Sequence, residues 1–183
     1  MLSATHIELL TPGGMARART IVINSHSWFV HVSGLDRLAG LKASGIEPRN
    51  PGATIDAVIA AALGDGSGAI VCLRPIFAFN TRPNRDYPQM LLSISNSDLP
   101  QRIGIDWSYP GSWNLVDVKQ REAPEMRIDV IFAHVVQQSG SIASYDLIPA
   151  EVVRVWAKGT PENDPSKWPS LLQIAAADVS ILP

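Results

Sequence analysis

Trp28-Phe-Val-His-Val-Ser-Gly-Leu-Asp-Arg-Leu-Ala-Gly-Leu-Lys-Ala-Ser-Gly45 is the stretch on which the reading of this chain turns. Aromatic and β-branched residues at its start predict a short buried strand over Trp28 to Val32. That strand delivers one histidine, His31, to its end. Apolar residues at Leu35, Leu38 and Leu41 then recur at helical spacing, and Gly45 stops the helix. A polar side chain at a strand end, beside a helix start, is where α/β proteins often place ligand-contacting groups. His31 is therefore the first candidate site residue. Its plainer reading is a hydrogen-bonded histidine at a strand end.

Working outward, Thr11-Pro-Gly-Gly is a turn signal and Thr20-Ile-Val-Ile-Asn24 reads as a strand. Ile46 to Gly52 is a loop, since its two prolines and glycine cannot continue a helix. Thr54 is placed to cap a short alanine-rich helix over Ile55 to Leu63. Gly64-Asp-Gly-Ser-Gly68 ends it as a connector, because it lacks a P-loop Lys-Ser/Thr and precedes a strand. Ala69 to Leu73 and Gln89 to Ser95 are the best later strands. The segment between them carries Arg74, Arg82, Arg85 and Tyr87. It reads either as an anion-binding or lid segment or as a solvated loop.

Trp107, Tyr109 and Trp113 crowd a loop from Asp106 to Asn114. Such rings stack on a base or, more often, close over a core edge. Met126 to Val136 alternates as a strand that points Arg127, Asp129 and His134 away from the core. Ser144 to Trp156 holds a Pro-Ala-Glu helix start or turn followed by a Val-Val-Arg-Val-Trp strand, and Leu171 to Ala177 predicts a last short helix.

The 183 residues are most simply a single domain, 1–183, able to bury a real core. A net charge of −2 argues against a surface coated in basic charge for non-specific nucleic-acid binding. Cys72 is the only cysteine, which excludes an intrachain disulfide, and its apolar flanks mark it as a buried residue. No signal peptide and no membrane-spanning run are visible, so the expectation is a soluble cytoplasmic protein. Four histidines and one cysteine show no metal-ligand spacing, and no metal is expected. No GxGxxG follows a strand, which argues against a Rossmann dinucleotide site. Several short strands, with helices in the N-terminal half, predict an α+β fold.

Three segments in order resemble the ADP-ribosyltransferase fold, nearest to the DarT-type transferases that modify single-stranded DNA. They are Phe29-Val-His-Val-Ser-Gly-Leu-Asp-Arg-Leu38 with Gly45, Val71-Cys-Leu-Arg-Pro75, and Tyr145-Asp-Leu-Ile-Pro-Ala-Glu-Val-Val-Arg-Val155. The match spans residues 28–157 and implies a split β-sheet core. It also implies NAD or a related nucleotide as substrate, with cleavage of an N-glycosidic bond and transfer to nucleic acid. On that resemblance His31, Ser33 and Gly34 would hold the nicotinamide side of NAD. Arg74 would sit near the diphosphate or the incoming nucleic acid. The spacing of the family's catalytic glutamate falls here on Ser141, and the loop after the first helix is shortened.

Asp129 and Glu151 are the acids that would stand in, with Arg82, Arg85, Tyr87 and Trp107 on the substrate side. Two other readings stay open. One is a glycosidase or transferase that processes nucleotides without NAD, and the other is a catalytically silent domain that binds a nucleotide or a partner.

Overall fold

A computed structural model describes residues 3–48, 61, 69–73, 88–107, 109 and 111–182. In chain order the elements are α1 (Ala4–Leu9), α2 (Pro12–Ser25), β1 (Trp28–Gly34), α3 (Leu38–Ser44), β2 (Ile70–Leu73), β3 (Gln89–Ser95), β4 (Ile103–Ile105), α4 (Ser112–Glu122), α5 (Ile128–Ser139), β5 (Ser141–Ser144) and β6 (Val153–Val155). Short 3₁₀ turns lie at Leu35–Arg37, Asn96–Asp98, Ala150–Val152, Pro165–Lys167 and Ala176–Asp178. Helices combined with antiparallel strands make the chain α+β. None of the described helices is long and apolar enough to cross a membrane.

The chain forms two compact units, each discontinuous in sequence. The first gathers Met1–Ser25, Pro48–Val71 and Pro100–Asp146, the second His26–Glu47, Cys72–Leu99 and Leu147–Pro183.

The first unit is mainly helical. The predicted strand at Thr20 to Asn24 is instead the second half of α2. Pro12 opens that helix, where its missing N–H costs nothing, and Thr11 Oγ1 accepts from Gly14 N–H at 3.0 Å. Met15, Ala18 and Val22 are buried, a 3.6-residue period, whereas Ile21 and Ile23 beside Val22 are only half-buried. The β-branched run looked like a strand locally, and packing of one helical face overrode it.

The predicted strand from Met126 to Val136 fails for the same reason. It is α5, which buries Ile131, Phe132, Val135, Val136 and Ser139. Gly140 ends it in the left-handed region at φ 69°, and β5 follows at once. Strand β5 pairs antiparallel with β4, Ile105 opposite Ile142 and Ile103 opposite Ser144. With α4 and α5 both past Ser112, the longer helices are not confined to the N-terminal half.

The second unit is built on β1. It pairs antiparallel with β3 along its length, from Trp28 opposite Ser95 to Gly34 opposite Gln89, and meets β2 at Val30 opposite Leu73. Strand β6 joins the far side of β3, Leu92 opposite Val155. Side chains alternate across the pleat. One face puts Val30 and Val32 with Leu91, Trp156, Trp168 and Leu182 in a single apolar cluster. The other carries Phe29, His31 and Ser33 beside Ile94, Leu92 and Met90.

Leu38 and Leu41 of α3 are buried as the sequence predicts, and Gly45 stops that helix at φ 80°. Ile46 and Ile148 then exchange backbone hydrogen bonds of 2.9 and 3.0 Å. The last helix predicted at Leu171 to Ala177 is a turn followed by the 3₁₀ segment Ala176–Asp178. The predicted helix over Ile55 to Leu63 lies outside the described residues, apart from residue 61.

Candidate functional site

Strand β1 positions the first candidate group. Its central pairing with β3 fixes the backbone, so His31 and Ser33, two residues apart, project from one face. The strand does not end at His31 as the sequence predicts. His31 is the fourth of its seven residues, opposite Leu92, because pairing with β3 continues to Gly34. His31 is half-buried and Ser33 buried. Gly34 ends the strand in an extended conformation and caps the 3₁₀ turn Leu35–Arg37. Leu35 N–H donates to the Pro88 carbonyl at 2.9 Å, which ties the turn to the start of β3. The charged residues of that turn, Asp36 and Arg37, are exposed. An imidazole and a hydroxyl on one face can bind the polar edge of a small molecule by hydrogen bonds.

Arg74, Arg82, Arg85 and Tyr87 lie outside the described residues. The two proposed acids are described, and they belong to different units. Glu151 sits exposed in the 3₁₀ turn Ala150–Val152 that leads into β6. Asp129, in the first turn of α5, is held by Arg127 through Nη2–Oδ2 and Nε–Oδ1 contacts of 2.6 and 3.1 Å. Desolvation pushes its carboxyl up, but the Arg127 hydrogen bonds and charge, together with the backbone N–H groups of Asp129 and Val130, outweigh that and hold it below the usual carboxylate range. A carboxylate bound to its own neighbour is poorly placed to serve a substrate.

A buried carboxylate that the sequence reading missed is Asp106, also in the first unit. It follows β4 directly and is 4% exposed. Its Oδ2 accepts from Ser141 Oγ at 2.8 Å, and its backbone carbonyl accepts from Ser112 Oγ at 2.6 Å. The available signal was an aspartate placed immediately after the apolar run Ile103-Gly-Ile105. Ser141, the residue at the catalytic-glutamate spacing, thus spends its hydroxyl on a carboxylate one strand away.

The aromatic loop resolves into a core edge. Trp107 is buried and Trp113 lies on α4, their ring centroids 5.3 Å apart. Both contact the imidazole of His6 on α1, at 5.4 and 4.4 Å between centroids. Tyr109 alone of the three is exposed. His6 is also new relative to the sequence reading. Ser3-Ala-Thr-His6 has capping-box spacing, with histidine where glutamate or glutamine is usual. Among the described residues no three or more His, Cys, Asp or Glu side chains are grouped so as to hold a metal ion.

Comparison of the chain with protein-family models, curated proteins and solved structures found no match.

Proposed function

We propose that this chain is an ADP-ribosyltransferase-like enzyme with a split-sheet core, which binds NAD or a related nucleotide through the face of β1 that carries His31 and Ser33. The observation that carries the reading is the common face of His31, at the middle of β1, and Ser33, near its end, on a strand paired with β3 along its length that turns at Gly34. The order of the three resembling segments, residues 28–157, supplies the chemistry. Loss of nicotinamide leaves an oxocarbenium-like ribosyl cation. A site that fixes the ribose and faces that cation with a carboxylate lowers the barrier. His31 orients the ribose, Ser33 and Gly34 hold the leaving amide, and Arg74 takes the phosphates. Glu151, an exposed acid of the same unit, is the carboxylate assigned to the cation, and single-stranded nucleic acid is the acceptor.

A second reading rests on Ser141. Its hydroxyl is buried and given to Asp106, so that position offers no free acid. On this reading the domain binds a nucleotide or a partner and does not turn it over.

Thermal denaturation of the purified protein with NAD, nicotinamide, ADP-ribose and AMP separates these. A ligand at a hundred times its Kd adds about 2.7 kcal/mol of stability and raises Tm visibly. The expected result is a shift with NAD that His31→Ala abolishes, together with release of nicotinamide on incubation. A shift without nicotinamide release selects the silent domain. A shift only with nucleotides other than NAD selects a nucleotide-processing enzyme, and no shift with any of them overturns both enzyme readings and leaves the silent partner-binding domain.

A further inference from the structure

Among the described residues, His6 is the histidine that forms half of a helix cap. Ser3 N–H donates to its Nδ1 at 3.2 Å, Ser3 Oγ lies 2.6 Å from the same nitrogen, and His6 N–H returns to Ser3 Oγ at 3.3 Å. Accepting the Ser3 amide requires a bare Nδ1, so the neutral ring carries its proton on Nε2. That Nε2, and the indole nitrogens of Trp107 and Trp113 whose rings pack on it, are buried with no hydrogen-bond partner among the described residues. The imidazole is 1% exposed.

We infer that His6 is a pH-sensitive latch: protonation at Nδ1 opens the Ser3–His6 capping box and releases α1 from the helices it packs against. The added proton converts the acceptor of the Ser3 amide into a donor. It also leaves a cation under two indole rings in a dry site.

The surrounding charges set the balance. On α4, Asp117 Oδ1 lies 3.8 Å from Nε2 and favours the cation, but it is half-exposed and screened by water. Lys119 pairs with Glu122 at 3.0 Å on the same helix, and Arg121 bonds the Asp117 carbonyl. On α2, Arg17 is taken by Glu8 of α1 at 2.6 Å, and Arg19 donates to the Pro100 carbonyl. Helix α5 carries His134 and the Asp129 held by Arg127. Burial, the largest effect, lowers the pKa of His6 against the pull of Asp117, and the positive amino terminus lowers it further. With the folded pKa below 6.5, the latch is closed above that pH and opens as pH falls through the folded value.

Amide hydrogen exchange on the full chain at pH 7.5 and 5.5, corrected for intrinsic rates, tests this. The expected result is that the Ile7 to Leu10 amides lose protection severalfold at the lower pH, up to the limit of about tenfold that one titrating group sets over this window, while the β1 and β3 amides keep theirs. His6→Gln retains a side-chain acceptor for the cap but cannot titrate, and should abolish the difference. Unchanged α1 protection in the wild type, or a pH effect that persists in His6→Gln, overturns the proposal. Imidazole nitrogen shifts of the wild type give an independent reading at pH 7.5. They should report the Nε2–H tautomer for His6, and an Nδ1–H tautomer overturns the proposal even if the variant does not fold.

Discussion

Ser141 Oγ and Asp106 Oδ2 meet at 2.8 Å inside the first unit, joining the start of β5 to the residue just past β4. Both are buried, and Ser112 at the start of α4 bonds the Asp106 carbonyl. One aspartate thereby ties three elements together. Ser141→Ala leaves the buried carboxylate short of a donor and is expected to cost about 2 kcal/mol. The midpoint of urea denaturation measures it, and a variant as stable as the parent would show that the bond contributes nothing.

Two glycines close together in sequence should respond oppositely to alanine. Gly45 sits at φ 80° and a Cβ added there would run into the Ile148 carbonyl oxygen, so a methyl is both strained and obstructed. Gly45→Ala is expected to destabilise by about 2 kcal/mol or more. Gly40, inside α3, has open space where a Cβ would point. Gly40→Ala should stabilise by roughly 0.5–1 kcal/mol, because alanine loses less backbone entropy in a helix. Equal responses at the two sites would contradict the geometry.

His134 on α5 has its pKa lowered by burial first and by Lys119 second, against the pull of Glu122. The unfolded chain then binds more protons than the folded one just below pH 6.5. Its contribution to stability is complete above that pH and is lost as pH falls through the folded value. Replacing it in His134→Gln should flatten the fall in Tm over this window; a curve of unchanged slope assigns the pH dependence elsewhere.

Cys72 lies on β2 and has no exposed surface. A thiol reagent should therefore label it only through opening of the fold, at a rate that rises with denaturant. Rapid stoichiometric labelling of the native protein would place the thiol at the surface.

Short elements buried by dense β-branched and aromatic residues were legible in the sequence. Trp28 to Val32, Gln89 to Ser95 and the Val-Val-Arg-Val strand near Val155 all appear where expected. Thr20 to Asn24 and Met126 to Val136 carry the same residue types but lie within helices. There the deciding signal was burial at every third or fourth position over a longer span, and a short window cannot weigh that. His31 could be picked out as the one histidine in an apolar strand, whereas Ser33 entered only through the resemblance; that the two share a face follows from the alternation of the observed strand. Asp106 and His6 carry only faint local signals, an aspartate after an apolar run and a capping-box spacing, because their partners at Ser141, Trp107 and Trp113 are distant in sequence.

By itself, then, the sequence determined the β1 strand that carries His31, the stop at Gly45 and the burial of Cys72. These follow from local stereochemistry and apolar content, which each segment carries on its own. Tertiary structure alone decided that two β-branched runs became helices, that Ser141 gives its hydroxyl to Asp106, and that His6 closes the cap of α1 beneath two tryptophans. Each of those depends on which distant groups pack together, since burial and pairing free energies belong to contacts and not to positions along the chain.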